Sequence, residues 1–155
     1  MAMEDVWLYP RPPAIEPVIK QIRIEFAGHV IAATDAAWRI LETTHPPVYY
    51  LPRDAFVNCE LLPGSGASLC EWKGRAAYWT IRAGTETAER AAWSYAAPLE
   101  PYGPIADHLA VYAGLMDACF VGDERVVPQP GGFYGGWITS DLTGPFKGAP
   151  GSMGW

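Results

Sequence analysis

Four side chains capable of acid–base or nucleophilic chemistry lie in two short segments of the sequence. Glu42 and His45 flank a pair of threonines, and Cys70 and Lys73 lie in the segment Cys70-Glu71-Trp72-Lys73-Gly74. A carboxylate or an imidazole can act as a general acid or base. A thiolate near an ammonium group is stabilised and becomes more reactive. These four residues form the predicted catalytic set.

Each of the four also has a purely structural interpretation. Free cysteine is among the most commonly buried residue types, so Cys70 fits a packed thiol. If its strand is regular, Cys70 and Lys73 point to opposite faces and do not pair. Glu42 shares a predicted strand face with Ile40, so its carboxylate must be paired, solvated at the strand end, or carry a raised pKa. His45 precedes two prolines in a rigid corner, where a histidine is more often simply solvated.

Aromatic residues recur along the same predicted strands. Aromatic cross-strand pairs stabilise sheets, and sheet packing is the ordinary explanation for most of them. If several line one open cleft, they form a stacking surface for a planar or sugar-like ligand, with a basic side chain fixing an anionic group. The predicted ligand-binding residues are Tyr50, Trp72, Arg75, Tyr78 and Trp93.

The composition restricts the classes of function. A chain of 155 residues has the size of one domain. Its formal net charge of -6 disfavours nucleic acid and anionic lipid as partners, because both are negative. No apolar run approaches the roughly 20 residues that span a bilayer, and the N-terminus lacks the pattern of a secretory signal. Three cysteines without a CxxC pair are typical of a reducing compartment. We therefore expect a cytoplasmic protein with free thiols.

The elements that must position these residues are mostly strands. Alternating apolar residues over 18–26 predict a half-buried strand, and residues 27–29 turn the chain into a hairpin. Residues 34–43 fit either a strand or a short helix capped by Asp35, and the strand is narrowly favoured. Further strands are predicted at 48–51, 69–82 and 86–95, with a loop at 61–68, a glycine-containing turn at 83–85 and mixed structure at 105–121.

Proline-rich and glycine-rich segments flank this region. Residues 1–17 predict an extended arm, since prolines lack N–H donors and restrict their predecessors. Residues 128–155 hold eight of the sixteen glycines but also five bulky aromatics, unlike a flexible linker. Such aromatics predict a tail that docks on its own domain or on a neighbouring subunit. The expected organisation is an arm at 1–17, a domain at 18–127 and a tail at 128–155.

Three blocks of the sequence carry a family resemblance. They are His45-Pro46-Pro47-Val48-Tyr49-Tyr50-Leu51-Pro52, the segment from Cys70 to Trp79, and Ala91-Ala92-Trp93-Ser94-Tyr95. These blocks resemble the signature blocks of the bacterial domain-of-unknown-function family 427. The resemblance spans about residues 18–127. It implies a mainly β, Mss4-like β-tent of antiparallel sheets with little helix.

The resemblance implies a fold more firmly than a function, because one fold hosts many chemistries. Some collections give the family a nucleotidyltransferase label, but this sequence has neither the paired aspartates that hold two magnesium ions nor a phosphate-cradling glycine loop. Relatives with the β-tent bind zinc through two CxxC pairs, which this chain lacks. We therefore expect no metal site and no cofactor.

Three functions remain open from the sequence. The first is a small-molecule-binding domain with an aromatic cleft, in which Glu42, His45, Cys70 and Lys73 carry an undefined reaction. The second is an interaction or self-association module, giving a homo-oligomer, that uses the aromatic tail. The third is a thiol redox enzyme that uses Cys70, against which the missing CxxC pair counts.

Overall fold

The computed structural model describes residues 3–155, and strands dominate this part of the chain. Met1 and Ala2, the first two residues of the predicted arm, lie outside the described residues. Helical structure in the described part is confined to single 3-10 turns at Val6–Leu8, Arg53–Ala55, Gly103–Ile105 and Ala113–Leu115. The expected mainly β fold with little helix is therefore confirmed. No helix within residues 3–155 is long and apolar enough to cross a membrane.

Two antiparallel sheets form the body of the fold. The strands of the larger sheet, in chain order, are β2 (Ala14–Pro17), β5 (Trp38–Leu41), β6 (Val48–Pro52), β7 (Glu60–Cys70), β8 (Gly74–Ala83), β9 (Glu86–Ser94) and β10 (His108–Val111). Their spatial order is β2-β5-β6-β10-β9-β8-β7. The smaller sheet has the order β12-β11-β3-β4 and consists of β3 (Ile22–Phe26), β4 (His29–Thr34), β11 (Ala118–Val121) and β12 (Glu124–Arg125).

The remaining strands tie the two ends of the chain to this body. They are β1 (Glu4–Asp5), which pairs in parallel with β15 (Leu142–Thr143), and β13 (Val127–Pro128), which pairs with β14 (Trp137–Ile138). Part of the arm, β2, forms an edge strand of the larger sheet beside β5. A proline-rich segment is tolerated there because an edge strand need not donate on its outer side.

One hydrophobic core lies between the two sheets. Ile22, Ile24 and Phe26 of β3 are all buried in it, as the alternating pattern predicts. Ala27 and Gly28 both have positive φ and form the tight turn into β4. Positive φ at two successive residues matches the twist of the flanking strands. The first predicted hairpin is therefore present.

A second core lies on the opposite face of the larger sheet. Tyr49 and Leu51 point into the first core, whereas Tyr50 between them points into the second, because side chains alternate along a strand. The second core contains most of the buried aromatic side chains, namely Tyr50, Tyr78, Trp93, Tyr95 and Tyr102. It is the face against which the candidate site is built.

The glycine-rich tail packs on its own chain. Trp137 is only 1% exposed, and its ring stacks on Tyr49 at 5.2 Å between centroids. Its indole N–H donates to the carbonyl of Val111 at 3.0 Å. Near the two ends of the chain, Trp155 lies 5.1 Å from Trp7 between ring centroids. Trp137 and Trp155 therefore act as anchors on the same chain.

Two local predictions are wrong. Residues 71–73 form a turn between β7 and β8, so residues 69–82 are not one continuous strand. Residues 61–68 belong to strand β7 and are not a loop. The proline and glycines of this segment fall at a register shift between Pro63 and Ala67 on the sheet edge, where a lost backbone donor costs little.

Candidate functional site

A cavity of about 240 Å³ lies on the aromatic face of the larger sheet, partly roofed by the tail. Its wall contains all four residues of the predicted catalytic set and three of the five predicted ligand-binding residues. These are Glu42, His45, Cys70 and Lys73, together with Tyr50, Tyr78 and Trp93. The structure therefore brings side chains from several strands and turns to one place.

A strained turn directs Glu42 and His45 into this cavity. Strand β5 ends at Leu41, and the backbone N–H of His45 donates to the carbonyl of Glu42 at 3.0 Å. Thr44 between them has a φ of +72°, which is rare for a β-branched residue. This turn places both side chains on the same wall. Backbone strain of this kind clusters at functional sites.

The turn between β7 and β8 brings Cys70 and Lys73 to the same cavity. Cys70 is the last residue of β7 and pairs with Gly74, whose φ is +110°. The carbonyl of Lys73 accepts a hydrogen bond from the N–H of Leu99 at 2.9 Å, which holds the turn against the next loop. The face alternation expected for a regular strand therefore does not separate Cys70 from Lys73.

Three ionisable groups converge without bonding one another. The Nε2 atom of His45 lies 3.6 Å from a carboxylate oxygen of Glu42, and the Nζ atom of Lys73 lies 3.9 Å from the other. Both distances exceed a normal hydrogen bond. Within residues 3–155, the Nζ atom, the Nε2 atom and the Glu42 carboxylate take part in these two ion-pair contacts but in no side-chain hydrogen bond. The side chains of His45 and Lys73 are each only 9% exposed, and that of Glu42 is 31% exposed.

Gln129 of the tail sets the protonation of His45. The side-chain oxygen of Gln129 accepts from the backbone N–H of Gly136 at 3.0 Å, which identifies its nitrogen as the opposite end of the amide. That nitrogen donates to the carbonyl of Lys147 at 2.9 Å and contacts Nδ1 of His45 at 3.0 Å. Because an amide nitrogen only donates, Nδ1 must accept. The proton of the neutral imidazole is therefore on Nε2, facing Glu42.

Burial favours the neutral form of this imidazole. Desolvation lowers the pKa of His45 below its ordinary 6.5, although the nearby Glu42 carboxylate opposes the shift. The positive charges of Lys147 and Lys73 add to the lowering. His45 is therefore a neutral N–H donor at neutral pH.

Aromatic rings surround this polar centre. Trp93 lies 4.7 Å from Tyr112 and 6.4 Å from Tyr50 between ring centroids. Tyr134 of the tail meets His45 edge-on at 4.8 Å. Burial raises the pKa of both Tyr50 and Tyr95, so their phenols stay protonated. The wall is therefore apolar with hydroxyl groups that can donate.

A second cavity, of about 410 Å³, adjoins the first and shares several of its wall residues. The shared residues include Tyr78, Tyr112, Phe133 and Tyr134. The guanidinium of Arg90 lies over the ring of Tyr78 at 4.1 Å in this outer space. The two cavities together form one cleft, and Glu42, His45 and Lys73 line its smaller, inner part.

The three cysteines are divided between the two cores. Cys119 is buried in the core between the sheets and Cys59 packs against the same core, whereas Cys70 packs against the aromatic core. All three are free thiols. Within residues 3–155, no group of three or more histidine, cysteine, aspartate or glutamate side chains is arranged to hold a metal ion.

Comparison with known proteins gives the family. The family described as a domain of unknown function, DUF427, matches residues 14–122, well over half of the chain. The chain belongs to the DUF427 family. No curated protein matches this sequence. The DUF427 region contains all nine predicted site residues, but Gln129 and Tyr134 lie outside it. One side of the cavity in this DUF427 protein is thus built by the tail.

Two predicted ligand-binding residues lie outside the cavity wall. Trp72 lies in the turn between β7 and β8, partly buried against the aromatic core, and Arg75 is exposed on β8. The predicted ligand-binding set also omitted Gln129, Tyr95, Tyr112 and Tyr134, which are wall residues. Tyr95 lies in one of the signature blocks, so the family resemblance could have indicated it. Gln129 lies among glycines and prolines, where no local pattern marks it.

Proposed function

We propose that this protein binds a small, partly planar molecule in the cleft, with a polar group of the ligand at Glu42, His45 and Lys73. The rings of the wall, such as Trp93 and Tyr134, stack on the planar part. One observation carries the proposal: three polar groups converge in an aromatic cavity at distances too long to satisfy one another.

The position of the Lys73 ammonium gives further support, since the side chain as a whole is only 9% exposed. A charge that is largely removed from water is stabilised by pairing and by hydrogen bonds. Glu42 compensates the charge at 3.9 Å, and the ring of Tyr95 lies 6.0 Å away, but neither accepts a hydrogen bond from Nζ. A ligand oxygen placed between Nζ and the His45 N–H would accept from both.

The size of the cleft restricts the ligand. The inner cavity of about 240 Å³ is smaller than the roughly 300–1,000 Å³ of typical drug-sized sites. The inner space therefore suits one ring or a short chain, and the outer cavity accommodates a substituent. The site pairs one cation with one anion, which favours a neutral polar group such as a carbonyl or hydroxyl over a strongly charged one.

The other two functions have weaker support. A thiol redox enzyme needs a second thiol or an external one to resolve an oxidised Cys70, and Cys59 and Cys119 pack in the other core. A self-association module would use the tail aromatics, but Trp137 is already buried within its own chain. The Mss4-like arrangement and a cytoplasmic location stay predictions, and three free thiols are consistent with the latter.

An NMR titration of the protein with a panel of single-ring aromatic compounds tests the proposal. The panel contains matched pairs with and without a carbonyl group, and binding is located by shifts of the His45 imidazole signals. Lys73→Met is expected to lower the affinity for the carbonyl compounds about tenfold, consistent with the loss of one hydrogen bond to a charged donor. The matched control is Lys20→Met, because Lys20 is exposed.

The control variant should bind the panel like the wild type. The proposal fails if no compound binds at millimolar concentration. It also fails if compounds bind without disturbing His45 and equally well to both lysine variants.

A further inference from the structure

We propose that the site catalyses reversible proton transfer at the carbon next to a carbonyl group, with Glu42 as the base and His45 and Lys73 as hydrogen-bond donors to the carbonyl oxygen. This inference rests on the proposed function and names its reaction class. It assigns a different role to each of the three convergent groups.

The two donors are already in the required form. The Gln129 contact holds the His45 proton on Nε2, on the side that faces Glu42 and the cavity. Lys73 brings an ammonium group to the same wall. A carbonyl oxygen that accepts from both is polarised, and the negative charge that develops when a neighbouring proton leaves is stabilised.

Glu42 is placed to accept that proton. Its carboxylate oxygens lie 3.6 Å from His45 Nε2 and 3.9 Å from Lys73 Nζ. A ligand whose oxygen bonds both donors therefore holds its neighbouring carbon beside the carboxylate. A general base must come within about 2.6–3.2 Å of the atom that it deprotonates, and small side-chain movements on ligand binding suffice.

The proposed step is balanced without a cofactor. Glu42 takes a proton from the carbon, the electron pair of the broken C–H bond forms a carbon–carbon double bond, and the carbonyl oxygen takes the negative charge. The reverse step returns the proton to the same carbon or to a neighbouring one. No oxidant, reductant or co-reactant is consumed.

The surrounding wall supports this chemistry. Tyr50 is fully buried, and Trp93 and Tyr95 are each less than 10% exposed, so the inner cavity has a low dielectric. Hydrogen bonds to a developing oxyanion are stronger in such a medium than in water. The neutral imidazole is important because it donates a hydrogen bond without adding a second full charge beside Lys73.

Deuterium exchange in D2O provides the test, because it needs no knowledge of the product. Phenylacetone, which has exchangeable protons beside its carbonyl, is followed by proton NMR with the full-length protein. Benzaldehyde, which has none, serves as the binding reference. The wild type is expected to accelerate the exchange of phenylacetone by about 100-fold or more over buffer, the lower range for general base catalysis.

The variant Glu42→Gln is expected to lose this acceleration while it still binds benzaldehyde. Glu89→Gln removes an exposed carboxylate and should retain full exchange. If Glu42→Gln unfolds at a clearly lower temperature than the wild type, Glu42→Asp is used in its place and should retain part of the acceleration.

The failure of this inference is distinguishable from failure of the proposed function. If the wild type binds both compounds but does not accelerate exchange, the reaction class is wrong and the binding site stands. If neither compound binds, both proposals fail. Unchanged exchange in Glu42→Gln also overturns the assignment of the base.

Discussion

The side-chain amide of Gln129 and the imidazole of His45 meet at 3.0 Å across the boundary between the DUF427 domain and the tail. Because the Gln129 oxygen is occupied by the N–H of Gly136, the amide can only donate to His45. A residue outside the family match thereby fixes the tautomer of a residue inside it. Gln129 is a positioning residue for His45.

We expect Gln129→Glu to reverse the tautomer of His45. A carboxylate accepts hydrogen bonds, so Nδ1 would carry the proton and the His45 pKa would rise. Nitrogen-15 NMR of the imidazole distinguishes the two tautomers directly. Gln21→Glu, at an exposed glutamine, is the control and should leave the His45 signals unchanged. A proton that stays on Nε2 in Gln129→Glu would contradict this assignment.

Stability should depend on pH through His45. Burial lowers the pKa of His45 below 6.5, so the unfolded chain binds a proton more readily than the folded one. At a pH well above 6.5 the imidazole is neutral in both the folded and the unfolded chain, so it does not change the free energy of unfolding. As the pH falls from about 6.5 through the folded pKa, the free energy of unfolding falls. The total loss is about 1.4 kcal/mol for each unit by which folding lowers the pKa of His45.

Urea unfolding between pH 5 and pH 8 measures this effect. Wild type and His45→Asn are compared, and only the difference in pH dependence is used, since the substitution itself changes stability. The wild type is expected to lose more stability on acidification than the variant. Equal slopes for the two proteins would refute the shift. The charged groups that surround His45 and are retained in both proteins are Glu42, Lys73 and Lys147.

The close contact between Gly135 and Trp93 predicts a large effect of a small substitution. A Cβ atom on Gly135 would lie 2.1 Å from the indole of Trp93, far inside van der Waals contact. Gly135→Ala should therefore move the tail or the indole and destabilise the fold by about 1–3 kcal/mol. It should also weaken binding of the aromatic panel.

Gly154→Ala is the matched control for this change. Gly154 lies in the same tail, has open space around it and does not have a positive φ. Thermal unfolding followed by circular dichroism compares the two variants. Similar melting temperatures for both would show that Gly135 does not pack as described.

The cysteines should differ in reactivity toward iodoacetamide. Burial raises the pKa of the Cys119 thiol to about 12, and its side chain is only 1% exposed, so Cys119 should resist alkylation in the native state. Cys70 lines the cavity and should react faster. Mass spectrometry of the digested protein gives the extent of alkylation at each cysteine.

Cys70→Ser separates the thiol from the proposed chemistry. Because the proposed exchange reaction assigns no step to Cys70, this variant is expected to retain exchange of bound phenylacetone, whatever its effect on the affinity of the cavity that Cys70 lines. Loss of activity without loss of stability would instead favour a nucleophilic or redox role for Cys70.

Local patterns in the sequence determined the strands and the family. The alternation at Ile22, Ile24 and Phe26 predicted a strand that is observed, because one face of that strand packs on the core. The signature blocks from His45 and from Cys70 indicated the DUF427 family, which is confirmed. They also contain three of the four predicted catalytic residues, all of which line the cavity.

Only the tertiary structure decided how those residues face one another. Lys73 reaches the cavity because residues 71–73 turn, and the prediction of a continuous strand had placed it on the opposite face from Cys70. The hydrophobic pattern did not reveal this turn, since its residues alternate in polarity as a strand would. Gln129 approaches His45 from 84 residues away in the chain, a contact that no local pattern encodes. Residue types and periodicity are local properties, whereas the protonation of His45 depends on packing between distant segments.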